Sequence, residues 1–145
     1  MNIAFGCDPN AKDLMNVLVK RCEELGHTAV ILGADDDIYA NTAFAVGEHV
    51  AAGKSDRGVL LCGTGIGMCI AANKVRGAYA ALISDVYSAE RAIKSNNANI
   101  ACIGAFTIGK KLAVALLDEW LSCQYDPNTP SDAKQLRYRE YDMAR

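Results

Sequence analysis

The sequence of 145 residues lacks the features from which a metal site, a disulfide framework or a nucleic-acid surface is usually predicted. It has two histidines, no C-x-x-C pair among its six cysteines, and no basic cluster in a chain of net charge −2. Zinc sites and disulfide scaffolds need closely spaced cysteine or histidine, so we predict no metal site. The slight negative charge argues against nucleic acid and anionic membranes as partners.

Long apolar runs and a leader segment are also missing. No stretch approaches the roughly 20 apolar residues of a membrane span, and the N-terminal sequence MNIAFGCD shows no charged segment followed by a cleavage site. An apolar fraction of 51% and a charged fraction of 22% are ordinary for a globular domain, and the length fits one. We therefore expect a cytoplasmic protein with no membrane partner.

Short apolar runs alternate with helical patterns over residues 1–123. The predicted strands are NIAFGC (2–7), TAVILG (28–33), RGVLLC (57–62), AYAALI (78–83) and NIACIG (99–104). Five helices are predicted. The first follows an Asp8 cap with Pro9 and ends at Gly26, and the second spans 42–52. The third runs from the glycine loop to about 74, the fourth starts from a cap at Ser84 or Asp85, and the fifth spans 107–121. Wholly apolar strands separated by helices indicate a parallel sheet covered on both faces. We predict a five-stranded, three-layer α/β domain.

The composition changes after residue 123. Residues 124–145 are polar, contain two of the three prolines, and could form a capped helix from Ser131. Such a C-terminal arm either packs on a neighbouring subunit, closes over a site, or is a frayed tail.

The segment GVLLCGTGIGMCIAANK (58–74) carries the strongest functional signal. Ligands of parallel sheets bind beyond the carboxyl ends of the strands, and a helix N-terminus there offers free N–H groups to an anion. The dinucleotide pattern G-x-G-x-x-G fails because residue 68 is methionine. A second glycine stretch, GAFTIGKK (104–111), lacks the hydroxyl of a nucleotide-triphosphate loop at Lys111, so we interpret it as a chance match.

Cys62 stands at the start of this loop. A role as the nucleophile of a hydrolase is not supported, and two interpretations remain open, a base or a structural residue. A hydrolase would need a histidine base, but His27 precedes the second strand and His49 lies within a helix, so neither is well placed. Because a helix N-terminus favours the thiolate form of a cysteine, Cys62 could instead act as a base beside a carbon acid. The alternative is a buried structural cysteine.

Several segments together resemble the ribose-5-phosphate isomerase B / galactose-6-phosphate isomerase family. They are IAFGCD, DRGVLLCGTGIGMCIAANKVRG, SAERA, NNANI and WLSCQY, in order over residues 1 to about 125. The resemblance implies a Rossmann-like, flavodoxin-like sheet of strand order 2-1-3-4-5 and a homodimer with two interface sites, often paired into a homotetramer. It also implies aldose–ketose isomerisation of a sugar phosphate through a cis-enediolate, without metal or cofactor. In that order, Asp8 and Cys62 flank one crevice.

The resemblance assigns the catalytic roles to three residues. Cys62 matches the base that moves a proton between C1 and C2. Thr64 matches the hydroxyl residue beside it, and Asp8 matches the acid that holds sugar hydroxyls.

The resemblance also assigns substrate-binding residues. Gly63, Gly65 and Gly67 match the anion hole for the enediolate. Tyr39 matches a tyrosine of the loop after the second strand, although the family often has tyrosine-proline where this chain has tyrosine-alanine. Asn96 matches an asparagine that reaches over from the partner subunit.

The chain departs from the pentose isomerases where the ring is opened and the phosphate held. Pro9 replaces a histidine after the aspartate, Ser95 replaces the ring-opening histidine, and Phe106 replaces a phosphate-binding arginine. A substrate that cannot cyclise needs no ring-opening histidine. Tetrulose 4-phosphates have no free hydroxyl that could close a furanose, so D-erythrulose 4-phosphate becomes a candidate substrate.

The family's C-terminal glycine-glycine-arginine-histidine stretch is also replaced, by DPNTPSDAKQLRYREY. Lys134 and Arg137 would share a helical face, with Arg139 nearby, so these three are candidate phosphate ligands. The alternative is a solvated basic face.

The sequence therefore predicts a sugar-phosphate aldose–ketose isomerase whose substrate could be a short acyclic ketose phosphate. Three rivals remain: one subunit of a two-component galactose-6-phosphate isomerase, an enzyme for ribose 5-phosphate that opens the ring with another residue, and a non-catalytic phosphometabolite-binding module.

Overall fold

The computed structural model describes residues 1–144. The strands are β1 (Asn2–Cys7), β2 (Thr28–Gly33), β3 (Arg57–Cys62), β4 (Ala80–Leu82) and β5 (Ile100–Gly104). The helices are α1 (Lys12–Glu24), α2 (Tyr39–Ala51), α3 (Ile66–Ala72), α4 (Val86–Lys94), α5 (Lys110–Ser122) and α6 (Asp132–Ala144), with a 3-10 turn at Pro9–Ala11. No helix among these residues is both long and apolar enough to cross a membrane.

The five strands form one parallel sheet, which confirms the predicted fold class, but the predicted order of the last two strands is wrong. The order is β2-β1-β3-β5-β4, with β5 paired to β3 and β4 at the edge. All five residues of β5 are buried, whereas β4 has three residues and its Leu82 is exposed. A wholly buried strand needs neighbours on both sides, and a short one suits an edge. The carboxyl end of β5 therefore lies beside that of β3.

The sheet is covered on both faces, and the alternation of strand side chains decides which face each residue joins. Helices α1, α4 and α5 pack on one face, with Trp120 and Phe5 in the core there. Helices α2 and α3 pack on the other, against Leu60, Cys62 and Cys102. The side chain of Cys62 therefore points toward the layer that contains the helix following the glycine loop.

Short polar side chains cap the 3-10 turn before α1 and the start of α4. The Asp8 carboxylate accepts a hydrogen bond from the Asn10 amide at 3.0 Å and caps the 3-10 turn, as the Asp-Pro pair predicts. Asp85 and Ser88 form a reciprocal capping box at α4.

Two helix starts differ from the prediction because side chains close turns that the apolar pattern does not show. Helix α2 begins at Tyr39 and not at residue 42, since the Asp36 carboxylate accepts hydrogen bonds from the Ile38 amide and the Asn41 side chain. Helix α5 begins at Lys110 and not at residue 107, since the Thr107 hydroxyl and amide both donate to the Gly104 carbonyl.

Helix α6 packs on its own chain, at the edge of the sheet where the strands begin. The Asp142 carboxylate accepts hydrogen bonds from the Gly77 amide at 2.8 Å and the Tyr79 hydroxyl at 3.1 Å. The Arg139 guanidinium lies 4.1 Å from the centre of the Tyr79 ring. Helix α6 begins at Asp132, one residue after the predicted start at Ser131. The last residue of the predicted arm 124–145 lies outside the described residues. Contact of the arm with a neighbouring subunit stays a prediction.

Candidate active site

Asp8 and Cys62 lie at the ends of the two central strands, where the strand order reverses. Cys7 is in register with Leu61, so the next residues along, Asp8 and Cys62, follow side by side. The Asp8 amide donates to the Leu61 carbonyl at 3.1 Å, and Asp8 is only 8% exposed. The wrong order of β4 and β5 leaves this pair unaffected, because the reversal between β1 and β3 is common to both orders.

The sulfur of Cys62 faces the glycine loop. The Gly65 amide donates a hydrogen bond to Cys62 Sγ at 3.1 Å, and the residue is 5% exposed. Thr64 beside it is exposed, and its hydroxyl oxygen accepts a hydrogen bond from the Ile66 amide at 3.3 Å. The sulfur is therefore covered partly by a backbone N–H group of the loop and not by apolar side chains alone.

Other amides of the loop have no protein acceptor. Within residues 1–144, the N–H groups of Gly63, Thr64 and Gly67 donate to no oxygen or sulfur, whereas the Gly65 and Ile66 amides are occupied as described. Backbone N–H groups are strong donors that need a partner in water or in a ligand. The three free amides belong to the loop that Cys62 faces, which suits an oxyanion formed beside the sulfur.

Gly65 is required by both the backbone conformation and the space around the loop. Its φ is +77°, and a Cβ there would lie 2.7 Å from Leu82 Cδ1 and 2.9 Å from the Ile103 carbonyl carbon. We expect Gly65→Ala to lower the free energy of unfolding by about 3 kcal/mol, from the left-handed conformation together with the collision with β5. Denaturant unfolding of the wild-type protein and of Gly65→Ala measures this loss.

Gly53→Ala is the matched control, because Gly53 has a φ of +69° but nothing within 4 Å of the added Cβ. Gly53→Ala should lower the free energy of unfolding only by the contribution of the left-handed backbone conformation, about 1–2 kcal/mol. Equal losses for the two variants would contradict the close contact between the loop and β5.

Two aromatic rings lie on the loop, one at each end. A Cβ at Gly67 would collide with the Tyr39 hydroxyl, so the tip of Tyr39 rests on that glycine. A Cβ at Gly63 would lie 2.9 Å from Phe106 Cδ2, so the Phe106 ring covers the other end. Tyr39 was predicted from the resemblance. Phe106 was noted only as a replaced arginine, and its contact with the loop depends on the observed position of β5 next to β3.

A second thiol, Cys69 on α3, has unusual acidity but faces elsewhere. A hydrogen bond from the Cys102 thiol lowers the pKa of Cys69 to about 7, while burial raises the pKa of Cys102 well above its usual value. Cys69 Sγ contacts the Ala80 carbonyl oxygen at 3.4 Å and the Asn73 amide nitrogen at 3.6 Å. It therefore lies against the β4 edge, and sequence reasoning missed its acidity because Cys102 comes from a distant strand.

The remaining predicted site residues lie at the opposite edge of the sheet. Asn96 follows α4 and precedes β5, so it belongs to the edge where strands begin, whereas Cys62 ends its strand. The Tyr138 hydroxyl donates to the Asn96 carbonyl, and the Arg139 guanidinium donates to the Asn97 carbonyl at 2.8 Å. Within one chain, the structure does not bring this group to Cys62.

The other two basic candidates lie on the same helix. Lys134 and Arg137 are both exposed, and Arg137 lies 3.8 Å from the Glu140 carboxylate.

A cavity of about 440 Å³ adjoins helix α6; its lining includes Asn73, Tyr79, Asn96, Tyr138, Tyr141 and Asp142. Among residues 1–144, no three His, Cys, Asp or Glu side chains are grouped so that they could hold a metal ion.

Comparisons with known proteins give consistent results. The family model described as Ribose/Galactose Isomerase matches residues 3–137. The chain is 42% identical over 130 residues to D-erythrulose-4-phosphate isomerase of Pectobacterium atrosepticum, covering 87% of this chain and 86% of that protein. It is 45% identical over 128 residues to ribose-5-P isomerase B of Listeria innocua, covering 86% of each. Type B ribose 5-phosphate isomerase from Trypanosoma cruzi superposes with a TM-score of 0.95 at 31% identity over 100% of both chains. The chain therefore belongs to the Ribose/Galactose Isomerase family.

Proposed function

We propose that this protein is a cofactor-independent aldose–ketose isomerase of sugar phosphates, with Cys62 as the base. The observation that carries the proposal is the direction of Cys62 Sγ, which accepts a hydrogen bond from the Gly65 amide within a loop where the amides of Gly63, Thr64 and Gly67 are free. A binding module would need the amides but not a thiol among them. The family membership supports the same reaction, because relatives of both named activities are isomerases.

The proposed reaction moves one proton between two carbons. Starting from a ketose, the Cys62 thiolate removes a proton from C1, and the electron pair of the broken C–H bond forms the C1–C2 double bond. The carbonyl oxygen at C2 becomes the enediolate oxygen, which the amides of the loop stabilise. The thiol then returns the proton to C2 while the C1 hydroxyl loses its own proton. Asp8 and Thr64 transfer the proton of the C1 hydroxyl to the C2 oxygen, which becomes a hydroxyl and leaves an aldehyde at C1.

The substrate we propose is D-erythrulose 4-phosphate. Ser95, where the pentose isomerases have a ring-opening histidine, contacts only the Arg91 side chain at 3.5 Å among its described side-chain partners. A hydroxyl is a weak acid–base group at neutral pH, and a tetrulose 4-phosphate has no ring to open. The similarity to a D-erythrulose-4-phosphate isomerase favours this choice, and ribose 5-phosphate is the second candidate because the similarity to ribose-5-P isomerase B is comparable.

We propose further that each site is shared between two copies of the chain. Asn96 and Arg139 lie at the edge away from Cys62, and Lys134 and Arg137 lie on the same helix as Arg139, so these residues can serve a site only if a partner presents it. Exposed apolar side chains are present both around the glycine loop and on helix α6. They include Ile66 and Leu82 near the loop and Leu136 and Met143 on α6. Large exposed apolar groups of this kind are typical of subunit contacts. In this arrangement the exposed Lys134 and Arg137 of α6 supply phosphate ligands to the partner's loop, while Arg139 beside them is bonded to its own chain.

Turnover of the purified protein tests the proposal. We expect interconversion of D-erythrulose 4-phosphate and D-erythrose 4-phosphate without added metal, and slower turnover of D-ribose 5-phosphate and D-tagatose 6-phosphate. Binding of these sugar phosphates with no turnover of any would favour a binding module. Activity that appears only with a homologous partner chain would favour the two-component enzyme. The cytoplasmic location expected from the sequence stays a prediction.

A further inference from the structure

Phe106 is an exposed aromatic residue held against the catalytic loop. Its side chain is 71% exposed, yet its backbone is fixed: the Phe106 amide donates to the Gly63 carbonyl at 2.9 Å. The preceding amide, of Ala105, donates to the Cys62 carbonyl at 2.8 Å. The Ala105 bond continues the pairing of β3 and β5 by one residue, and the Phe106 bond ties the next residue to the loop, so the backbone of Phe106 cannot move away from the loop without breaking these bonds.

The ring itself packs on the glycine that follows the base. A Cβ added at Gly63 would lie 2.9 Å from Phe106 Cδ2 and 3.0 Å from Cε2. The absence of a side chain at residue 63 therefore lets the ring lie on the loop backbone directly beside Cys62. One side of the ring covers the glycine, and most of the rest is exposed.

The two rings bracket the loop from opposite sides. Tyr39 comes from the β2 side of the sheet and rests on Gly67, whereas Phe106 comes from the β5 side and rests on Gly63. They differ in what they offer a sugar. Tyr39 has a hydroxyl that can hydrogen-bond, while the benzyl group of Phe106 has neither a donor nor a charge.

We propose that Phe106 closes the Gly63 end of the crevice and limits the substrate to a four-carbon chain. This inference rests on the proposed isomerase function and deepens it. A longer sugar phosphate would place an additional hydroxyl-bearing carbon or its phosphate against the ring, where those polar groups would lose water and find no partner. Phe106 is thus a specificity-determining residue, acting by exclusion.

Two acyclic ketoses test chain length separately from ring opening. D-erythrulose 4-phosphate and D-ribulose 5-phosphate both lack the free hydroxyl needed to close a furanose, and they differ by one CHOH group. We expect Phe106→Ala to raise the ratio of kcat/KM for D-ribulose 5-phosphate to kcat/KM for D-erythrulose 4-phosphate by about tenfold or more. Phe106→Leu, which keeps an apolar branched side chain, should raise the ratio less.

Ile31→Ala is the matched control, because it truncates an exposed apolar side chain on β2 that makes no contact with the loop glycines. It should leave the ratio unchanged. An unchanged ratio in Phe106→Ala would overturn the length limit; if that variant did not fold, an unchanged ratio in Phe106→Leu would do so. A wild-type enzyme that used both ketoses equally would also overturn the length limit while leaving the isomerase proposal intact. Turnover of neither ketose, nor of any other sugar phosphate, would overturn both.

Discussion

Replacing Cys62 with alanine is expected to lower kcat by about 10²–10⁴-fold or more, because a positioned base contributes at least this much to proton transfer from carbon. The fold should survive. The substitution removes one sulfur and leaves the Gly65 amide without its acceptor, which together cost about 1–2 kcal/mol of unfolding free energy. Steady-state kinetics with D-erythrulose 4-phosphate and thermal unfolding of the same preparation measure the two effects.

Cys62→Ser separates the chemistry of the thiol from its position. The serine oxygen can still accept the hydrogen bond from the Gly65 amide, but an alcohol is a far weaker acid than a thiol and forms little anion at neutral pH. We therefore expect Cys62→Ser to be as inactive as the alanine variant while keeping more of the native stability. Substantial activity in either variant would assign the base to another residue.

Cys69 and Cys22 supply the matched cysteine controls. Cys22 is fully buried on α1, far from the loop in the fold, and Cys69 lies against the β4 edge. We expect Cys69→Ala and Cys22→Ala to keep kcat within a few-fold of wild type. Because the pKa of Cys69 is lowered to about 7, Cys69 is a second candidate for alkylation at neutral pH, and loss of activity on alkylation would not by itself identify Cys62.

Mixing two inactive variants is expected to restore activity if the site is shared between subunits. In a dimer of one Cys62→Ala chain and one Asn96→Ala chain, one site has lost both residues and the other has kept both. Random exchange makes half of the dimers mixed, so about a quarter of wild-type activity should return. Asn96→Ala alone should lower kcat by about 10²-fold, the usual effect of removing one donor to a developing oxyanion.

The control for this experiment is a mixture of Cys62→Ala and Cys62→Ser chains, which contains no intact site and should stay inactive. Each variant should also be carried through the exchange procedure alone. Full activity of Asn96→Ala, or no recovery in the mixture although subunits exchange, would contradict a shared site. The basic residues of α6 would then have to be explained as a solvated surface.

The parts of the site that depend on local sequence were predictable. A wholly apolar strand that runs into a cysteine and alternating glycines gives the same turn in any parallel sheet, and Asp8 is placed by the Asp-Pro cap at the end of β1. The bounds of β1, β2 and β3 match the predicted strands for the same reason, since their apolar runs end at turn residues.

The parts that depend on pairing between distant segments were not predictable. The order of β4 and β5 is decided by burial of β5 between two neighbours, and the strand order taken from the resemblance places Phe106 one strand too far from the loop. The acidity of Cys69 likewise arises from Cys102 on another strand. In the proposed shared site, the position of Asn96 relative to Cys62 depends on how two copies dock, which one chain's sequence does not specify.

Deuterium incorporation tests the central claim most directly, because it follows the carbon-bound proton itself. Wild-type protein in D₂O with D-erythrulose 4-phosphate should introduce deuterium at C1 of the ketose and C2 of the aldose, observed by proton NMR as loss of one of the two C1 protons of the ketose and as an aldose that lacks its C2 proton signal. Cys62→Ser under the same conditions should form almost no aldose and leave both C1 protons of the ketose at full intensity. Exchange by Cys62→Ser at the wild-type rate would show that the Cys62 sulfur is not the group that removes the proton.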